Sequence, residues 1–562
     1  MPRPTRRAFL KGASGSLVTA ALAATNAQLA QAADRSVYTR GTTLEQAAAP
    51  VATSGYTRLT AGPGYPLVVR ADLAEPRPSR DDTRTGLASI VQFTDLHVVD
   101  AQSPVRFEFL NTVNSSACRP QEALGTQGAA QLVKRINDLA KGPFTGRRFD
   151  CVVSTGDNTD NHEHVELEWY LAVMNGGVIT PNTGASDRWE GAQTSGNPQY
   201  YNVENASVRD RYVSAGFPVL DGFFRRATAA HRSPGLNVRW FSVFGNHDDS
   251  VSGVLPSDWG ALAAMYTGDV KFTGFTSGTS DAALRRTFTN GSTAIKGVSS
   301  STKNTWHVTP DERRKPFTPT EYMRAHLPSG GHGFTDENVA TGRGYYTFRI
   351  ADGVTGISLD STNRAGFTEG SLGHEQFLWL QRVLTAGSST YVDFWGRTQR
   401  HAVADEMFVI FSHHTSTTMT NVLLDPATPE LRHAGREVRD TLMRFPNVVA
   451  WVNGHTHENR ITAHRHADPR RSFWEINTAS HVDFPQHARI IELCDNADGT
   501  LSLYTTLVES AAPYAASTTG QGQADLASLY RELSYNDPNR SAALLGADAD
   551  RNTELILRHP WR

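Results

Sequence analysis

Five short polar motifs follow one another along the chain: Asp95-Leu96-His97, Gly156-Asp157-Asn158-Thr159-Asp160, Gly245-Asn246-His247-Asp248, His413-His414 and Gly454-His455-Thr456-His457. Each begins where an apolar run stops, and that placement constrains the fold more than any other feature. In an α/β protein the carboxyl ends of the strands open on a shared crevice, so motifs far apart in sequence can meet there. The runs concerned are 88–93, 149–154, 238–244, 407–411 and 448–452. Leu132, Val133, Ile136 and Leu139 carry helical spacing, and helices are also expected at 217–230, 374–384, 436–444 and 524–533. Further strand-like runs lie at 345–350, 356–360, 473–476, 489–493 and 501–507.

The motifs have the chemistry of metal ligands. A pair of divalent ions about 3.5–4 Å apart needs a bridging carboxylate, nitrogen and oxygen ligands, and open positions for substrate. In Asp-x-His and His-x-His, alternate residues of a strand end point the same way, so Asp95 with His97, and His455 with His457, are each expected to aim at one spot. The glycine before His455 lets the backbone turn tightly beneath them. Two carboxylates, one amide and neutral imidazoles leave two divalent ions with about +2 uncompensated, or about +1 with a bridging hydroxide. Such a site favours an anionic oxygen ligand.

In this order the motifs resemble the calcineurin-like metallophosphoesterase superfamily, over about residues 90–507. The resemblance implies a four-layer α/β sandwich, two mixed β-sheets flanked by helices. It implies that Asp95, His97, Asp157 and His457 hold one metal, and that Asp157 bridges to a second held by Asn246, His413 and His455. His414 then falls behind the ligands. His247 is implied as the group assisting the leaving oxygen, with Asp160 as its orienting carboxylate, after attack of a metal-bridging hydroxide on a phosphate mono- or diester. Purple acid phosphatases carry a tyrosine where this chain has Asp160, so no purple chromophore is expected. Manganese, iron, zinc and cobalt all suit the ligand set. Alternatives are a 5'-nucleotidase-like phosphatase, or a non-catalytic binding protein on the same fold; the full ligand set and His247 favour an enzyme.

Other polar residues receive blander readings. His162, Glu163 and His164 are expected in a solvated loop or behind the ligands, because the ligand set is already full. Asp248 and Asp249 read as loop acids. His374 and His481 are candidates to line the substrate pocket. The 46 Gly and 27 Pro call for many turns and long loops, and two insertions, at about 162–235 and 250–344, lie beside the motifs and are candidates to shape the site. Residues 33–88 read as an N-terminal arm, 89–508 as the catalytic domain and 509–562 as a C-terminal extension.

Residues 1–32 are a separate object. Thr5-Arg6-Arg7-Ala8-Phe9-Leu10-Lys11 is a twin-arginine export signature, followed by a weakly apolar Ala-rich stretch and a small-residue cut expected after Ala32. The expected partners are therefore the twin-arginine export machinery and a small phosphoester substrate, with no membrane anchor after cleavage and a secreted or cell-envelope location. Removing Arg3, Arg6, Arg7 and Lys11, with no acids, takes the formal charge from −3 to −7. An acidic surface does not attract nucleic acid. Cys118, Cys151 and Cys494 show no metal-ligand spacing. Cys151 reads as a buried small hydrophobe, and a Cys118–Cys494 disulfide is left open.

Overall fold

The computed structural model describes residues 37–112, 114–256, 264–275, 303–424 and 429–562. The twin-arginine motif and the cut after Ala32 lie outside the described residues, as does part of the second insertion. Among the described residues no helix is long and apolar enough to cross a membrane.

An N-terminal hairpin, β1 (Gln46–Pro50) and β2 (Leu59–Pro63), precedes β3 (Leu67–Arg70). The other principal strands are β4 (Thr85–Phe93), β5 (Cys151–Ser154), β6 (Trp240–Ser242), β7 (Tyr346–Ala351), β8 (Val354–Ser358), β9 (Met407–Phe411) and β10 (Val448–Asn453). They are followed by β11 (Arg460–His464), β12 (Phe473–Asn477), β13 (Ala488–Asp495), β14 (Thr500–Val508) and β15 (Asn552–Arg558). One sheet has seven strands in the order β3-β15-β14-β13-β4-β5-β6, with β4, β5 and β6 mutually parallel. The other has six, β7-β8-β9-β10-β12-β11, with β8, β9, β10 and β12 parallel.

Alternation along the strands explains how the sheets stack. Met407, Val409 and Phe411 of β9 join the central core with Ile90, Val152 and Ile490 of the other sheet. Phe408 and Ile410 turn the opposite way, onto Leu380 and Leu384 of one helix and Val438 and Leu442 of another. Those helices span His374–Ala386 and Gly435–Leu442, and helices Gly125–Leu139 and His164–Asn175 join the central cluster from the other sheet's side. The result is the expected four-layer α/β sandwich, two mixed sheets with helices outside.

Several local expectations change. Helix His164–Asn175, which opens the first insertion expected from about 162, carries no amphipathic period because Val165, Leu167, Trp169, Tyr170, Val173 and Met174 are all buried. Its start is fixed by a capping box between Glu163 and Glu166. The helix expected at 217–230 is only Phe223–Ala227. The first insertion packs Trp189, Tyr201, Tyr212, Phe217 and Phe224 against Leu526, Leu529 and Tyr530 of helix Gln523–Asn536, so it has a core of its own. Strands from the expected N-terminal arm and C-terminal extension both enter the seven-stranded sheet, where β3 pairs in parallel with β15. All three cysteines are free and buried.

Candidate metal centre

All five motifs converge at the carboxyl ends of parallel strands. Asp95 and His97 follow β4, Asp157 follows β5, and Asn246 and His247 follow β6. His413 follows β9, and His455 and His457 follow β10. The parallel ladder continues past the strands themselves: the main-chain N–H groups of Asp95, His97 and Val98 donate to the carbonyls of Gly156, Asp157 and Asn158 at 3.0, 2.9 and 3.0 Å. Gly454 N–H likewise donates to His413 O at 3.0 Å. Each loop therefore fixes the height of its neighbour.

Strand alternation is not what makes the paired residues converge. Asp95, His97, Asp157, His455 and His457 all have left-handed backbones, with φ of 51°, 44°, 50°, 72° and 56°. That conformation is costly for residues with a Cβ and clusters at functional sites, where the surroundings hold it. Two glycines make room for it. A Cβ on Gly245 would lie 2.2 Å from both the N and Oδ1 of Asp157, and one on Gly454 would lie 1.9 Å from Thr94 Oγ1.

The ligand atoms form two groups that share one carboxylate. Asp157 Oδ1 accepts the His247 main-chain N–H at 2.8 Å. Its Oδ2 lies 3.2 Å from His413 Nε2 and 3.6 Å from His97 Nε2. On the His413 side, Asn246 Oδ1 is 3.0 Å from His413 Nε2 and 3.1 Å from His455 Nδ1. On the His97 side, Asp95 Oδ1 is 3.3 Å from His457 Nε2 and 4.0 Å from His97 Nε2. Asp95 Oδ2 is occupied by Thr94 Oγ1 at 2.5 Å and the His455 N–H at 3.1 Å. Asp95 Oδ1 and His97 Nε2 are buried without any hydrogen-bond partner. Uncompensated buried polar atoms are expensive unless something completes them, and a divalent cation fits both.

Electrostatics agree with a cation site. Burial pushes His97 down to about 4, and burial with His413 beside it takes His455 to about 3. At His413 and His457 burial is outweighed by the nearby carboxylates Asp157 and Asp95, which raise them to about 9 and about 10. Against burial, His457 and His413 hold Asp95 at about 2, and His413 and His247 hold Asp157 well below the carboxylate range. Charged carboxylates surrounded by groups that demand positive charge are what a metal would neutralise.

His247 and Asp160 meet as expected. Asp160 Oδ1 is 2.8 Å from His247 Nδ1, and it also lies 2.7 Å from His97 Nδ1. Burial opposes charge on His247, yet Asp157 and Asp160 raise its pKa above the ordinary value. With Nδ1 committed, Nε2 is the nitrogen left for chemistry. His414 is fully engaged, with Nδ1 2.8 Å from Ser361 Oγ and Nε2 2.9 Å from Thr368 O, so it stands behind the ligands.

Other residues depart from expectation. His162 and Glu163 are buried rather than solvated, His162 Nδ1 donating to Asp248 O at 3.0 Å. Asp248 is a loop acid as expected but a buried one: its carboxylate accepts the N–H groups of Asn158, Thr159 and Gly245 and so ties β5's loop to β6's. Asp249 is also buried, 3.6 Å from Arg364. His374 stacks on His433 at a helix start, and His481 is buried against Tyr530. Neither borders the cavity of about 420 Å³ lined by Arg343, Asp360 and Arg364, or the one of about 430 Å³ lined by Thr415, Thr456 and Glu475. Sequence reasoning missed Asp483, whose Oδ2 accepts from His457 Nδ1 at 2.8 Å, and the buried Arg106 and Arg119. Asp483 stands six residues past the end of β12 at Asn477, so the rule that located the five motifs does not reach it.

No family profile and no curated protein matches the sequence. Among solved structures it is similar to a dimetal phosphatase from Danio rerio, at 11% identity over 76% of this chain and 100% of that one, TM-score 0.35. A purple acid phosphatase from yellow lupin seeds aligns at 9% identity over 80% and 55%, TM-score 0.27. A calcineurin-like phosphoesterase from Bacillus subtilis aligns at 13% over 80% and 99%, TM-score 0.24.

Proposed function

We propose that the protein is an exported metallophosphoesterase that hydrolyses phosphate mono- or diesters at a dinuclear centre. The carrying observation is the position of Asp157 Oδ2 between His413 Nε2 and His97 Nε2, at 3.2 and 3.6 Å, beside Asp95 Oδ1, which receives no hydrogen bond and faces His457 Nε2 at 3.3 Å. Asp95, His97, Asp157 and His457 would hold one divalent ion, and Asp157, Asn246, His413 and His455 the other. When bound, such a pair supplies Lewis acidity toward phosphoryl oxygens and an acidified water as nucleophile. Asp160 fixes the ring of His247 through Nδ1, which leaves Nε2 to hold a proton for the departing oxygen. The buried Asp248 bridge keeps the β5 and β6 loops in register, so Asp157 and His247 keep their separation.

Export rests on the twin-arginine signature and the cut after Ala32, which support a secreted or cell-envelope location and partnership with that export machinery. The intact His247–Asp160 pair favours an enzyme over a binding protein on the same fold. The test is metal analysis of the purified mature protein together with turnover of aryl phosphate mono- and diesters. Two equivalents of divalent metal with metal-dependent turnover are expected; a metal-free protein that still hydrolyses either ester would overturn the reading.

A further inference from the structure

The two halves of the centre are supported differently. On the His413 side the support is main chain: His413 Nδ1 donates to Thr155 O at 2.9 Å, and Asn246 Nδ2 donates to Gly253 O at 3.1 Å. On the Asp95 side both imidazoles rest on carboxylates, His457 on Asp483 at 2.8 Å and His97 on Asp160 at 2.7 Å. Those carboxylates in turn face one guanidinium. Arg119 is buried and grips Asp483 with two nitrogens, Nε to Oδ1 at 2.7 Å and Nη2 to Oδ2 at 3.1 Å, while its Nη1 lies 3.9 Å from Asp160 Oδ2. Arg106, also buried, pairs with Asp160 and, at 2.8 Å, with Glu122, whose carboxylate accepts the Arg119 main-chain N–H at 3.0 Å.

We propose that Arg119 is a positioning residue for one metal only: through Asp483 and Asp160 it sets His457 and His97, and thereby the affinity of the Asp95 position, without acting on the His413 position. This rests on the dinuclear reading above. Neutral carboxylic acids would hold the imidazoles poorly, and losing the Arg119 guanidinium would leave the largely buried Asp483 charge unpaired and Asp160 with Arg106 alone. A fork that satisfies one carboxylate with two parallel bonds while facing a second keeps both charged and fixed. Partners behind metal-bound histidines set ring orientation and basicity, and their loss costs about 10–100-fold in metal affinity.

The test is calorimetric titration of manganese(II) into the chelator-stripped full protein and its variants. Wild type is expected to take two equivalents. In Arg119→Gln one binding constant falls about 10–100-fold and the other is unchanged; Arg119→Lys, which keeps the charge without the fork, falls between. A double-mutant cycle assigns the loss: Arg119→Gln weakens the equivalent that survives in His413→Ala and leaves the one that survives in His457→Ala untouched. Equal weakening of both ions, or of neither, overturns the proposal while the dinuclear reading stands. No metal uptake by wild type overturns the dinuclear reading itself. Should Arg119→Gln fail to fold, Asp483→Asn at the partly exposed end of the same chain gives the same readout.

Discussion

Asp160 Oδ1 accepts from His97 Nδ1 at 2.7 Å and lies 2.8 Å from His247 Nδ1, which also donates to the Asp160 main-chain carbonyl at 2.9 Å, while Arg106 pairs with Oδ2. A single carboxylate thus serves a proposed ligand and a proposed proton carrier. Replacing His247 separates the two duties: His247→Ala should retain both metals and lose about 10²–10⁴-fold in kcat, measured by metal content and steady-state turnover on the same preparation. Unchanged turnover would remove His247 from the reaction. Asp160→Asn should lower both metal affinity and turnover, because the neutral amide no longer pairs with Arg106 and sets its NH2 group against that guanidinium. Residue identities at the centre were legible in sequence because five metal-competent motifs stand in one order at successive strand ends, whereas any one of them alone would fit a turn. The arginines behind them gave no such sign: Arg106 and Arg119 sit in an irregular segment without periodicity, and only the folded chain places them beneath the site.

The elements that matter are the turns after the strands. Parallel strands β4, β5 and β6, and β9 with β10, were legible as apolar runs, because a strand buried on both faces is apolar throughout. How their loops bend was not. Left-handed residues at Asp95, His97, Asp157, His455 and His457 are set by hydrogen bonds to loops elsewhere in the sequence, so no local pattern announces them. Gly245 is the point at which this packing is least forgiving. Gly245→Ala would place a methyl 2.2 Å from Asp157 N and Oδ1, and it should destabilise the protein by about 1–3 kcal/mol and lower metal occupancy. Denaturant unfolding with metal analysis checks both; wild-type values would show that the loops shift freely.

Across the whole molecule, neutral histidines are buried in number. Burial holds His326 and His481 at about 3 and His332 at about 4, and puts His487 well below the ordinary 6.5. Folded values below the unfolded one mean that the unfolded chain binds more protons in acid. Their stabilisation is therefore present above about pH 6.5 and is lost as pH falls toward the folded values. Urea unfolding of the chelator-stripped protein should give a lower midpoint at ~pH 5 than at ~pH 7.5, the buried neutral rings outweighing His413, His457 and Glu166, whose raised values act in the opposite direction; an equal or higher midpoint would show that they do not. Since Cys118, Cys151 and Cys494 are all free, denatured protein should titrate three thiols and reductant should leave the melting temperature unchanged. By itself the sequence determined the α/β class, the strand ends and the set of candidate ligands, because apolar runs ending in metal-binding side chains are written locally. Only the tertiary structure decided that 33–88 and 509–562 complete the seven-stranded sheet, and that Asp160, Asp483 and two arginines stand behind one half of the centre. Those contacts join residues from about 26 to more than 360 positions apart, and their energy comes from satisfying charges in a shared interior that no single segment contains.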